Sequence, residues 1–405
     1  MKFSKTSQFA LVSAIGLLAT SLLTGCQLVT IDYVFVASSA GSNAGSEGQI
    51  QTYAVDSQSG ALRVADPAVP SGGTEPVAMA TTSNYYSLYV ANQGNNSVVH
   101  FGIADTGKLS NLDNVTTTDT PVSLAVNEAN TYLYVISGTT SATLTEYSLD
   151  SKGAIGSMVA QESLTLPGYA SDTIVPTGVT VLPNNSAVYV TAYDQSAYNP
   201  GGTVTSTEQH PGWVYGFAVG SNGALTATAG SPYQAGVKPN SVAPDPTNRF
   251  IYVTDFASNQ LIGYTVQNGN QLNFMVDGPF KTGSEPTSVA VDPRGIYIYL
   301  ANELDNSVSS FTINKPTGTP SEVVNTVSSA PNATDTQPVS LAIDPALGRF
   351  VYTTNRIGNS VSGFRLNPDT GILVPTQSTP YPTGANPTAL AMVPHGNHAT
   401  QAVAP

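Results

Sequence analysis

Cysteine is all but missing from this chain. Cys26 is the only one in 405 residues, so no intrachain disulfide can brace the fold. Charge is scarce as well, with Asp, Glu, Lys and Arg making up 10 % of the sequence. Basic residues are the scarcer kind, 13 against 26 acids, for a formal net charge of −13. Loss of residues 1–25, which hold Lys2, Lys5 and no acid, moves it to −15. Such a surface repels polyanions, which excludes nucleic acid and anionic lipid headgroups as partners. No helical period is sustained beyond the N-terminus. The apolar stretch at residues 9–23 falls short of the ~20 residues a comfortable membrane span needs. What the chain has instead is Gly and Pro, 36 and 28 of them, with Ser, Thr and Asn covering the surface. That composition suits short strands and turns.

The N-terminus reads as a targeting segment: Lys2 and Lys5, then residues 9–23, then Leu23-Thr24-Gly25-Cys26. L-T-G-C resembles the bacterial lipobox. The resemblance implies a signal peptide at residues 1–25, lipidation of Cys26, and a short linker at residues 26–32. Gln27, in place of an aspartate, favours the outer membrane. The expectation is a lipoprotein of the bacterial cell envelope, facing the periplasm or the surface and held to the membrane through its lipid.

The rest of the chain repeats one sentence. Residues 286–313 hold it most clearly: P-T-S-V-A-V alternates, D-P-R-G turns, I-Y-I-Y-L-A-N is a second strand, and S-V-S-S-F-T-I a third. Prolines 76, 121, 176, 239, 286, 338 and 387 open seven such repeats, 45, 55, 63, 47, 52 and 49 residues apart. A period near 40–50 with several strands per unit is that of a β-propeller blade. The last repeat has only its first strand. Three unassigned strands lie at the other end, at residues 33–37, 49–55 and 61–65. The expected fold is therefore all-β, one seven-bladed propeller over residues 33–393 with four-stranded antiparallel blades. Its last blade is closed by N-terminal strands plus a C-terminal inner strand, which leaves no open edge. A monomer is expected. Residues 394–405 carry no pattern and read as a disordered tail, with His395 and His398 in it. His100 reads as a packed histidine of a third strand.

Antiparallel order predicts which residues share a face. An inner strand starts where the second strand ends, so the residue before each proline lies beside the turn after each second strand. That face should carry Glu75, Lys238 and Glu285, together with Asn92, Asp255, Asn302, Glu303, Asn355 and Arg356. An insertion at residues 193–213, with His210 and Trp213, should overhang it. Propellers commonly bind at such a mouth. Asp255, Asn302 and Glu303 are hard oxygen ligands able to hold Ca²⁺ or Mg²⁺; no other cofactor is expected.

The repeat P-x-S-V-A-V-D-P…I-Y-L-A-N…N-S-V-S resembles the lactonase family of seven-bladed propellers. That family includes 6-phosphogluconolactonase-like proteins and a fungal muconate cycloisomerase, and shares its repeat with other Y-V-T-N propellers. Two consecutive blades match most specifically, one ending at Asp255 and the next at Asn302-Glu303-Leu304. The resemblance implies a lactone-opening site that keeps Asp255 and Glu303; by their own chemistry Glu303 or Glu285 can serve as base and Lys238 or Arg356 as the cation. Family enzymes carry histidine where this chain has Asn240, and Arg-His where it has Thr287 and Ser288. His210 is the one substitute in reach. The expected function is a ligand- or protein-binding scaffold, its ligand an unknown small molecule or envelope protein at Glu75, Asn92, Lys238, Asn240, Glu285, Asn302, Asn355, Arg356 and Trp213. The alternative is a lactone hydrolase using Glu303, Asp255 and His210.

Overall fold

A computed structural model describes residues 29–39, 46–139, 141–167, 172–198, 211–324, 332–401, 403 and 405. Residues 1–28, with Cys26, and His210 lie outside this set.

The described residues form seven antiparallel sheets arranged as the blades of a propeller. Blades 1 to 6 open with the inner strands Pro76–Thr81, Pro121–Val126, Ile174–Val181, Pro239–Pro244, Pro286–Val291 and Pro338–Ile343. Each then runs outward in chain order. Blade 7 is composite: the inner strand Pro387–Pro394 pairs with Thr30–Ser38, which pairs in turn with Glu47–Asp56 and Leu62–Thr74. Register fixes the closure, with Tyr33 opposite Val393 and Ala37 opposite Ala389. In blades 3, 4 and 6 the outer strand is broken. Its second piece, such as Phe280–Lys281, returns to pair with the far half of the third strand.

Second strands such as Ser87–Asn92 and Tyr297–Asn302 are buried at every residue. A blade is covered on both faces by its neighbours, which is why these strands read as unbroken apolar runs and not as alternation. The hydrophobic core is correspondingly split into seven clusters, one between each pair of adjacent blades.

In five of the seven blades a tyrosine of the second strand ties the blade to the next. The hydroxyls of Tyr89, Tyr189, Tyr252, Tyr299 and Tyr352 donate to backbone carbonyls of Gly153, Asn270, Gly318, Gly371 and Gly60 at 2.5–2.9 Å. Each acceptor lies in the turn between the third and fourth strands of the following blade, at positive φ. A side chain there is strained, hence the glycines. Blades 2 and 7 depart from the rule: the buried Tyr134 hydroxyl faces the Glu146 carboxylate and not a turn carbonyl, and blade 7 has Phe35 in the tyrosine's register, with Tyr33 reaching only Asp105 O at 3.3 Å.

The C-terminal segment differs from the disordered tail expected of it. Residues Gly396–Thr400 form a 3₁₀ turn and His398 is buried. The His395 N–H donates to Ile31 O at 2.6 Å, and the His398 ring reaches Asp344 on blade 6. These contacts hold the segment across the closing blade.

Candidate functional site

Backbone hydrogen bonds confirm the common face. The N–H groups of Gln93, Phe256, Glu303 and Arg356 donate to the carbonyls of Glu75, Lys238, Glu285 and Gln337, at 2.7–2.9 Å. The residue before the proline and the turn after the second strand are thus neighbours in each of these blades. A second set of bonds runs between blades. Asn259, Asn306 and Asn359 sit at positive φ in the turn, and their Oδ1 atoms accept the N–H of Glu285, Gln337 and Asn386 at 2.8 Å. Those three donor residues also lie at positive φ. This is strained backbone for a non-glycine residue, over-determined here by two hydrogen bonds on each.

Four of the expected site residues come together at the mouth, across blades 4 to 6. Arg356 Nη2 donates to Glu303 Oε1 at 2.5 Å, with the arginine 42 % and the glutamate 12 % exposed. Gln337 Oε1 takes weaker bonds from the same guanidinium at 3.4 Å. Burial raises the Glu303 carboxyl; Arg356 opposes this, Glu285 adds to it and Lys238 opposes it. Burial likewise lowers the Lys238 ammonium, while Glu303 and Glu285 pull it back up. Three rings surround that ammonium: Phe256 at 4.4 Å, Tyr198 at 5.5 Å and Tyr193 at 5.7 Å from Nζ. Tyr193 and Tyr198 are described residues at the start of the insertion of blade 3, and they lie on this face beside Lys238.

The other candidates point elsewhere. Asn92, Asp255, Asn302 and Asn355 end the second strands as expected, but their side chains are buried and join strands. Asn302 Nδ2 donates to Ser307 and Ser309, and Asn355 Nδ2 to Ser360 and Ser362. Asn92 exchanges bonds with Ser71. Asp255 accepts the N–H groups of Val237 and Lys238 and the Gln260 amide, each at 2.9 Å. With Asp255 so occupied and Glu303 paired to Arg356, the mouth is a poor Ca²⁺ or Mg²⁺ site. Trp213 lies in the third strand of blade 3 and packs against the core between blades 2 and 3. Glu75 is exposed on blade 1, away from the cluster.

Asn240, Thr287 and Ser288 line the central channel, a cavity of ≈ 250 Å³ walled by the inner strands of all seven blades. There they form a belt from blade to blade. Asn240 Nδ2 donates to Thr287 O at 2.7 Å, Thr287 Oγ1 to Pro338 O at 3.1 Å, and the Leu341 N–H to Ser288 Oγ at 3.1 Å. Sequence reasoning missed the aromatic cage and Gln337, and misjudged the strand-end amides. The serines two apart after each asparagine, Ser307/Ser309 and Ser360/Ser362, were the available signal.

Fold and mouth together define a seven-bladed propeller with a charged, aromatic-flanked entrance. The chain belongs to the Lactonase, 7-bladed beta-propeller family, whose model matches residues 30–122 and 100–402. Among solved structures it is similar to the periplasmic gluconolactonase of Pseudomonas aeruginosa, at 18 % identity and a TM-score of 0.69 over 90 % of this chain and 99 % of that one. It is also similar to a Bacteroides uniformis protein provisionally assigned as a 6-phosphogluconolactonase, at 18 % identity and a TM-score of 0.68 over 90 % and 99 %. A Lactobacillus plantarum protein aligns at 15 % identity with a TM-score of 0.69 over 90 % and 100 %. No curated protein matches the chain. Among the described residues no helix is long and apolar enough to cross a membrane.

Proposed function

We propose that the mouth binds a small polyhydroxylated carboxylate, or its lactone, and that the protein is a binding member of a lactonase family. The observation that carries this is the row Lys238, Glu285, Glu303 and Arg356, two carboxylates flanked by two cations. A half-exposed arginine can exchange its glutamate for a ligand carboxylate, and the remaining carboxylates can accept hydroxyl hydrogen bonds. Opening a lactone needs in addition a positioned base and an oxyanion donor. Asn240, Thr287 and Ser288, where family enzymes carry imidazole and guanidinium, are tied into the channel belt.

Calorimetric titration with gluconate and glucono-lactone tests the reading. Binding weakened at least ~10-fold in Arg356→Ala is expected, the worth of one charge-assisted bond. Opening of 6-phosphogluconolactone should stay at the buffer rate. The second reading, a hydrolase, draws on the raised Glu303 carboxyl, a feature of proton-transferring groups. Turnover that vanishes in Glu303→Gln establishes the hydrolase and overturns the binding role. We further propose attachment to the envelope through Cys26. Cys26→Ser should then move the protein to the soluble fraction, and a variant still membrane-bound in high salt contradicts the anchor.

A further inference from the structure

Three groups outside the mouth converge where the ring closes. Asp32 lies on the strand Thr30–Ser38 of blade 7, Asp344 follows the inner strand of blade 6, and His398 lies in the C-terminal turn. All three are buried, at 0 %, 0 % and 5 % exposure. One ligand atom from each lies within 4.8 Å of the others. His398 Nε2 is 3.0 Å from Asp344 Oδ1 and 3.5 Å from Asp32 Oδ1.

The hydrogen bonds set the charge balance. His398 Nδ1 lies 2.8 Å from Gln401 Oε1, an acceptor, so the proton of the neutral ring sits on Nδ1. The Nε2 lone pair then faces two carboxylates. Asp344 has other support, accepting the N–H groups of Ala346, Leu347 and Arg349. Asp32 has none: both its oxygens are buried without a hydrogen-bond partner. A proton on Nε2 balances only one of the two acids. A divalent cation in the same place balances both and leaves the imidazole neutral.

We propose that Asp32, Asp344 and His398 form a structural site for a divalent transition cation of the zinc class. Imidazole nitrogen with carboxylate oxygen is zinc's ligand chemistry, and a histidine whose other nitrogen donates to a side-chain carbonyl is its usual outer support. Two acids and one imidazole are too few for calcium, which takes six to eight oxygens. Both oxygens of Asp32 are available, so the three residues can offer four donor atoms. The bound ion staples blade 6, the first strand and the C-terminal turn together at the seam.

Without the ion, burial and then the Asp344 charge push Asp32 up to about 8. A proton on Asp32 is thus the competing way to balance the site. The experiment treats the purified chain with a chelator, then titrates it with ZnCl₂ at pH 7.5 under calorimetry and thermal melting. Calcium and magnesium serve as controls. One equivalent of zinc bound and a melting temperature that rises to a plateau are expected, with no response to calcium. Asp32→Asn and His398→Gln should each abolish uptake, while His395→Ala keeps it. His398→Gln changes only the C-terminal turn, so it reports even where Asp32→Asn fails to fold. No uptake by the wild-type chain overturns the site, as does uptake that survives His398→Gln. An apo protein made more stable by Asp32→Asn, with no zinc response in either form, assigns the cluster to the proton instead.

Discussion

At the mouth, Glu303 meets Arg356 with the arginine 42 % exposed. At the seam, Asp32 and Asp344 meet His398 with none of the three more than 5 % exposed. Both regions set acid against base, yet the surroundings assign them opposite work. Water screens the mouth pair and can replace either partner, so the pair is weak and exchangeable. The seam is dry, and a group that loses its partner there is left as an uncompensated buried charge. The first arrangement suits a site that must open to a ligand. The second suits a joint that must not open.

The largest expected effect is at the seam. Ending the chain at Asn386 removes the inner strand of blade 7, residues Pro387–Pro394, and uncovers an edge on Thr30–Ser38. Such a protein should aggregate or lose its cooperative melt, and a truncated chain that melts like the full one contradicts the closure. Asp344→Ala is next. It strips the caps from three backbone N–H groups and frees His398, at a cost of roughly 2–4 kcal/mol in a urea melt. A loss below about 1 kcal/mol would make the seam no firmer than a surface pair.

A third acid separates burial from pairing. Glu146 is 0 % exposed like the seam acids but has no base beside it. Burial pushes its carboxyl up to about 7, with the Tyr134 hydroxyl drawing it partly back. The folded value lies above the unfolded one of 4.5, so the fold holds the proton more tightly. Its contribution is full below pH 4.5 and is lost as pH rises through about 7. Glu146→Gln should therefore flatten the melting temperature between pH 5 and 8 and gain on the order of 2–3 kcal/mol at pH 8. An unchanged pH profile would show that Glu146 is not the group responsible. The smallest effect is expected of Arg356→Ala, less than about 1 kcal/mol by denaturant melt despite the short ion pair. A larger loss would erase the distinction between mouth and seam.

The ring was legible because each blade spells it twice, once in the proline that opens the inner strand and once in the apolar second strand. Closure followed from counting strands, since the last proline repeat stopped at Val393 and three strands stood spare at the other end. The site was legible only to the level of a face. Lys238, Glu285, Glu303 and Arg356 are long side chains that reach past the strand ends into the mouth. Asn92, Asn302 and Asn355 are short, and a short amide at a strand end turns to the nearest buried hydroxyl. His398 left no pattern because its burial depends on Asp32 and Asp344, more than 50 residues away in sequence, and a single packed residue has no period to read.

The tyrosine links between blades also bear on how such a chain can change over time. Each joins one hydroxyl to a backbone carbonyl, and no substitution removes a carbonyl. The receiving blade can therefore alter its side chains without a matching change in the donor everywhere except at the acceptor itself, which must keep its positive φ. The links also leave loop length unconstrained, so repeats of 45 and 63 residues close into the same ring. A circle built this way demands memory of few residues per blade, and blade 2, where Tyr134 faces Glu146, and blade 7, where Phe35 stands in the tyrosine's register, show that even this can lapse.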